Sequence, residues 1–246
     1  MLFILDPNNP DAEFPPVDQA ETEPDGLLAI GGDLSIPRLL KAYASGIFPW
    51  YSDEQPILWW SPDPRTVLQP GEMRISRSLR KSIRNSNLTI SIDQAFPQVV
   101  TACAAPRQKQ SETWITQEMQ QAYLNLYHQQ YAHSVEVWDG EDLVGGLYGV
   151  AIGSVFFGES MFSRRSDASK IALVFLSRQL LTWGYRLIDC QVYSEHLASL
   201  GAEEIDRSAF CQLLQKWCKT EPDSGSWSIG DNSIITAVKD LWHDHD

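Results

Sequence analysis

The spacing of apolar residues changes character partway along this chain. Met119, Tyr123, Leu126 and Tyr127 recur at helical intervals and predict a helix over Gln117–Tyr131. Ser134–Trp138 then alternates as a strand. Asp139-Gly140-Glu141-Asp142 reads as a hairpin turn. Leu143–Ile152 and Ser154–Phe157 continue the sheet, with Gly153 at the second turn. Ala168–Thr182 is a long amphipathic helix stopped by Gly184, and Arg186–Val192 is a strand. A short helix, Glu195–Leu200, precedes Gly201-Ala202, and Arg207–Lys219 is a further helix.

Upstream the pattern is more broken. Residues 1–25 are rich in Pro, Asp and Glu and read as an extended arm, and Gly26–Asp33 as a glycine-punctuated turn. Asp33 or Ser35 can cap a helix from Pro37 to Ser45, which Gly46 ends. A Trp- and Pro-dense segment follows. Residues 76–85 fit a short basic helix with Ser76 as its cap and Leu79 and Ile83 on its apolar side. Leu88–Ile92 is a strand and Phe96–Ala104 a helix.

The fold class expected is α/β (α+β). A small N-terminal domain spans 1–63, a catalytic domain with a mixed sheet flanked by helices spans 64–220, and an acidic tail spans 221–246. Over 134–200 the order strand, hairpin, strand, helix, strand, helix is that of the acyl-CoA N-acyltransferase (GNAT)-like fold. Order alone says little about activity.

Composition narrows the class. Hydrophobic content of 43% and charge of 21% are those of an ordinary globular chain. No apolar run reaches the ~20 residues of a membrane span. The N-terminus has neither a basic region nor a small-residue cleavage site, so a cytoplasmic location is expected. Cys103, Cys190, Cys211 and Cys218 form no C-x-x-C, and the histidines are scattered. No metal and no cofactor are expected. The net charge of −13 is uneven: residues 1–63 carry −9 and 221–246 carry −5. Residues 64–84 instead carry +5, from Arg65, Arg74, Arg77, Arg80, Lys81 and Arg84 against Glu72. Local field rather than net charge steers a phosphate backbone.

Several residues are candidates for chemistry. Asp189 and Gln191, at i and i+2 on a strand, are expected on one face. Either they form a structural hydrogen-bonded pair, or they serve acyl transfer to an amine. In the second case a carboxylate orients the amine and takes up proton charge while an amide supports the developing oxyanion. Glu159, between Gly158 and Ser160, reads equally as a surface acid or a ligand-facing one. Phe156 and Met161 suit a core or an adaptable apolar pocket, and Trp50 and Trp114 suit either as well. Arg77, Arg80, Lys81 and Arg84 fall on one helical face with no acid among them, either a solvated face or a phosphate-binding one. Arg164 and Arg165 extend that charge. SRRSDAS stands where an N-acetyltransferase would carry its coenzyme A pyrophosphate loop, which argues against acetyl-CoA as donor.

Longer blocks carry a family resemblance. Residues 26–65, GLLAIGGDLSIPRLLKAYASGIFPWYSDEQPILWWSPDPR, resemble the N-terminal signature of the leucyl/phenylalanyl-tRNA protein transferases. TWIT at 113–116, HSVEVW at 133–138, LVGGLYGV at 143–150, FGESMFSR at 157–164 and LIDCQ at 187–191 are similar to further blocks of that family. The resemblance implies transfer of Leu, Phe or Met from aminoacyl-tRNA to the α-amine of proteins beginning with Arg or Lys, marking them for degradation. It also implies an apolar pocket at Trp50, Trp114, Leu147, Phe156, Met161, Leu173, Leu176 and Ile188. The acceptor amine would sit near Asp189, with Gln191 and Glu159 in the polar network. Basic residues around 74–84 would hold tRNA. An acetyl-CoA-dependent N-acetyltransferase and a non-catalytic tRNA-binding module are the alternatives.

Overall fold

Each turn of chain in the first 63 residues is short, so the elements are too. In the computed structural model, which describes residues 2–105, 115–222, 227 and 236–238, β1 (Phe3–Leu5) pairs in parallel with β2 (Leu27–Gly31). Helix α1 (Ile36–Ala44) follows, then β3 (Phe48–Pro49) and β4 (Leu58–Trp60). These four strands form one sheet in the order β1-β2-β4-β3. The arm and the glycine turn expected over 1–33 therefore each contain a strand. Three to five residues beside glycines give too little alternation to show it.

The larger sheet begins with β5 (Arg65–Leu68). Then come α2 (Arg77–Arg84), β6 (Thr89–Ile92), α3 (Phe96–Ala104), α4 (Gln117–His128), β7 (Ala132–Asp139), β8 (Asp142–Ile152) and β9 (Val155–Ser163). Helix α5 (Ala168–Thr182) crosses to β10 (Leu187–Gln191), and α6 (Glu195–Ser199), β11 (Glu203–Ile205), α7 (Arg207–Trp217) and β12 (Thr236–Ala237) complete the described chain. Strand order is β11-β5-β10-β9-β8-β7-β6-β12. Within it β9 and β10 alone run parallel among the described strands, because α5 carries the chain back between them. The expected strand–helix–strand order is thus realised as a mixed sheet.

Local chemistry explains the well-read elements. The Ser76 hydroxyl accepts from the Leu79 amide and caps α2. Thr116 caps α4 in the same way through the Met119 amide. Gly140, at φ +63, turns the β7–β8 hairpin.

Two apolar layers sandwich the sheet. One gathers α5 and the buried side of α2, with Leu79, Ile83, Leu173 and Leu176. The other gathers α3, α4 and α7, and it is continuous with the first sheet: Leu28, Tyr43 and Trp59 share it with Phe96, Tyr148 and Phe157. The first 63 residues thus carry their own sheet but bury it against the larger one. Parts of the acidic tail also return to the body. Trp227 stacks on His133 with ring centroids 4.1 Å apart and donates to the Tyr185 hydroxyl at 2.7 Å. β12 pairs with β6 at the sheet edge.

Candidate active site

The site forms where β9 and β10 part. Their parallel pairing lasts for three residue pairs, Leu187 with Val155, Ile188 with Phe156, and Asp189 with Phe157. Just beyond, each strand carries a bulge. Glu159 is inserted between the pairs Gly149–Gly158 and Tyr148–Ser160. Cys190 is inserted between Asp189–Val67 and Gln191–Thr66. A bulge bends its strand and ends regular pairing, so two bulges side by side open a cleft in the sheet.

The bulges also reset which face each side chain takes. Strict alternation would put Phe156 and Met161 on opposite faces. The extra residue at Glu159 brings both to one cavity. Strict alternation would likewise put Asp189 and Gln191 on one face. The structure corrects that expectation: Gln191 lines the cavity with Ile188 and Cys190, while Asp189 is fully buried on the other side. β9 also runs to Ser163, beyond the expected end at Phe157, because β8 continues to pair with it past the bulge.

The cavity measures about 290 Å³. Trp50, Leu147, Phe156, Met161, Leu173, Leu176 and Ile188 all line it. Trp114 lies outside the described residues. Ligand pockets generally run about 300–1,000 Å³, so this one has room for a single large side chain. Trp50 is 43% exposed and stands at its rim.

One wall is polar. The Glu159 carboxylate accepts from Gln191 Nε2 at 3.1 Å and from the Tyr123 hydroxyl. The hydroxyls of Tyr123 and Tyr43 are 3.0 Å apart. A carboxylate only accepts, so the Gln191 amide nitrogen must face it and the amide oxygen is left for other donors. Burial lifts the Glu159 carboxyl to about 7, the charge on Asp189 adds to the rise, and the tyrosine and glutamine donors oppose it. Tyr43 and Tyr123 are raised well above their ordinary values, first by burial and then by the Glu159 charge, so both stay protonated donors.

Asp189 is engaged elsewhere. Arg65 grips it with two hydrogen bonds, Nε to Oδ1 at 2.8 Å and Nη2 to Oδ2 at 2.6 Å. Its Oδ1 also accepts the Gln191 backbone amide at 2.9 Å. Both carboxylate oxygens thus point away from the cavity, and Glu159 is the acid that faces it. Arg65 was not singled out by the sequence. A faint signal exists: an arginine opening the buried strand RTVL needs a partner.

The sign of the Glu159 shift gives a stability prediction. A carboxyl raised from about 4.5 to about 7 binds more protons folded than unfolded, so stability is lost as pH rises across that window, by ~3 kcal/mol. Glu159→Gln removes the ionisation. Its Tm should gain on the wild type steadily from pH 5 to pH 8; a constant difference would show that Glu159 titrates normally.

Comparisons with known proteins bear on the same residues. The family model described as "Leucyl/phenylalanyl-tRNA protein transferase" matches residues 67–215, and that family's N-terminal domain model matches 32–63. A leucyl/phenylalanyl-tRNA protein transferase of Methylococcus capsulatus is 56% identical over 227 residues, 92% of this chain and 97% of the relative. Those of Aromatoleum aromaticum and Pseudomonas fluorescens are each 57% identical, covering 88% and 87% of this chain and 91% and 94% of theirs. This chain belongs to the leucyl/phenylalanyl-tRNA protein transferase family. Among solved structures, a chain titled "GCN5-related N-acetyltransferase from Kribbella flavida" overlaps it at TM-score 0.35 and 12% identity, covering 64% of this chain and 56% of that one.

In this member of the leucyl/phenylalanyl-tRNA protein transferase family the basic residues divide into two groups. Arg74, Arg77, Arg80, Lys81 and Arg84 are all exposed, on and just before α2. Arg178 of α5 joins them: burial and then the nearby Arg80 lower its pKa. Sequence spacing within α2 could not reveal a contributor from another helix. Arg164 and Arg165 lie on the hairpin side of the sheet. Arg164 donates to the Leu143 carbonyl at 3.1 Å over the Phe162 ring, and Arg165 pairs with Asp139. Among the described residues no group of three or more His, Cys, Asp or Glu could hold a metal ion.

Proposed function

We propose that this chain moves a leucyl, phenylalanyl or methionyl group from aminoacyl-tRNA to the α-amine of proteins with N-terminal Arg or Lys, marking them for N-degron proteolysis. The observation that carries the reading is one apolar cavity with a glutamine–glutamate pair on its wall, in a chain of this family. The donor side chain occupies the cavity beside Leu147, Phe156, Met161, Leu173, Leu176 and Ile188. Trp50 closes the rim. We place the reaction in the cytoplasm; no described helix is long and apolar enough to cross a membrane.

An aminoacyl ester is already activated. The peptide amine attacks its carbonyl, forming the new C–N bond; the ester C–O bond then breaks and the ribose oxygen leaves. The amine must lose a proton on the way. Gln191 presents its amide oxygen to the amine, and Glu159, poised near 7, takes up the proton and returns it to the leaving oxygen. Asp189 acts at one remove, through the Gln191 backbone. Orientation of the two reactants can contribute ~7–11 kcal/mol by itself. Arg74, Arg77, Arg80, Lys81 and Arg84 hold tRNA phosphates, with Arg164 and Arg165 as a second basic group on the same ligand.

The test is transfer of labelled Leu, Phe and Met from charged tRNA to Arg- and Lys-led peptides. Transfer from all three is expected; no transfer, with acetylation from acetyl-CoA instead, would replace this reading.

Two further outcomes follow from the surfaces. The cavity gains only ~1–3 kcal/mol per methylene, so it accepts several unbranched or γ-branched side chains. β-Branched ones meet the wall next to the ester, so Ile- and Val-tRNA should transfer at least about tenfold more slowly than Leu-tRNA. Equal rates would sink the pocket assignment. Alanine in place of Arg77, Arg80, Lys81 and Arg84 should weaken charged-tRNA binding and flatten its dependence on log salt by about 0.7–0.9 for each phosphate no longer neutralised. An unchanged slope in a binding titration would remove α2 from the tRNA surface.

A further inference from the structure

We infer that Arg65 is a positioning residue for transfer, acting through Asp189 on the conformation of Gln191. Gln191 is held at φ +62, a left-handed backbone that glutamine does not favour. Something must hold it there. Its backbone amide is fixed by Asp189 Oδ1 at 2.9 Å, and that oxygen is fixed by Arg65 Nε at 2.8 Å. With the backbone so turned, the Gln191 side chain meets Glu159 and lines the cavity.

Arg65 is itself held on every side. Its Nη1 donates to the Gly46 carbonyl at 3.1 Å, and its guanidinium packs against the rings of Phe48 and Phe210, with centroids 4.8 and 4.6 Å away. Gly46 and Phe48 come from the N-terminal sheet region, Phe210 from α7, and Asp189 from the strand that opens the site. Phe48 also lines the cavity. One buried cation thereby ties three parts of the chain to the residue at the reacting groups. Lysine cannot reproduce this: it lacks the planar fork that meets a carboxylate with two parallel bonds while donating to a third acceptor.

The inference rests on the proposal that Gln191 meets the reacting amine. Arg65→Lys keeps the charge and loses the fork. We expect its kcat with an Arg-led peptide to fall about 10–100-fold, as expected for a misplacement of about 1 Å. The KM for charged tRNA should stay within about twofold, because the substitution leaves the Leu147, Leu173 and Leu176 side of the cavity and the α2 surface in place, and Tm should stay within a few degrees. In Arg65→Ala, added guanidinium ion should restore turnover saturably where sodium chloride of equal ionic strength does not. Arg65→Lys turning over at the wild-type kcat would overturn the inference. So would a loss of activity that merely tracks the unfolded fraction and is not rescued by guanidinium. Gln191→Ala separates the two levels: if it too is fully active, the proposed site is at fault; if it is inactive while Arg65→Lys is not, only the role of Arg65 fails.

Discussion

Gln191→Ala is expected to lower kcat for peptide-bond formation by about 10²–10³-fold, the usual effect of removing one preorganised polar group from a reacting centre. The KM for aminoacyl-tRNA should barely move, because on the proposed reading the donor side chain packs on the apolar lining of Leu147, Phe156, Met161, Leu173, Leu176 and Ile188 rather than on the amide. Stability should change little as well. Gln191 is at the cavity wall, and its removal leaves Glu159 with the Tyr123 hydroxyl still donating to it. Alanine is no more strained than glutamine at φ +62, so the backbone hydrogen bond to Asp189 can survive. A single-turnover measurement with pre-charged tRNA isolates the chemical step from tRNA binding. Wild-type kcat in that experiment would remove Gln191 from the reaction and leave Glu159 alone on the polar wall.

The contrast with Asp189 shows why geometry matters here. Asp189→Asn would weaken the grip on Arg65 and leave a buried guanidinium without its counter-charge, a loss that commonly costs about 3–5 kcal/mol. Lost activity in that variant could therefore reflect stability as much as chemistry. Gln191 and Glu159 are the cleaner probes of the reaction.

Legibility of this fold in the sequence followed the length and regularity of its elements. α5 begins and ends at Ala168 and Thr182 as its pattern predicts, since fifteen residues of helical spacing ended by Gly184 leave little ambiguity. β1, β2, β5 and β11 were not legible: three to five residues cannot establish a period against flanking glycines and prolines. The two bulges were hidden for a related reason. A single inserted residue at Glu159 or Cys190 reverses the facing of everything after it, and period-2 reading has no means of detecting the insertion. Asp189 and Gln191 were therefore expected together when a bulge sets them apart. The pocket residues were legible through the family resemblance, not through periodicity, which left Phe156 and Met161 equally suited to a core. Arg65 shows a different limit. Its partner is 124 residues away, and no local pattern records that pairing.

Gly149→Ala is expected to be the most damaging small substitution near the site. A Cβ there would lie 2.2 Å from the Phe157 carbonyl oxygen and 2.6 Å from the Phe156 ring. The oxygen belongs to the backbone of β9, directly beside the Glu159 bulge, and cannot move without breaking the β8–β9 register. Overpacking of this kind costs about 3 kcal/mol or more, which for a chain of this size lowers Tm by roughly 6–12 °C. Swinging toward the cavity it lines would relieve the clash on the ring. The variant that still folds should therefore discriminate against the bulkiest donor, with Phe transfer falling more than Leu transfer. Gly140→Ala is the internal control: nothing lies within 4 Å of a Cβ there, so only its φ of +63 is strained, at about 1 kcal/mol. Thermal melts and donor competition on the two variants read both effects. Equal Tm values, or an unchanged Phe-to-Leu ratio in Gly149→Ala, would mean that the β8 backbone does not set the position of Phe156 and that the cavity wall is shaped from the α5 side.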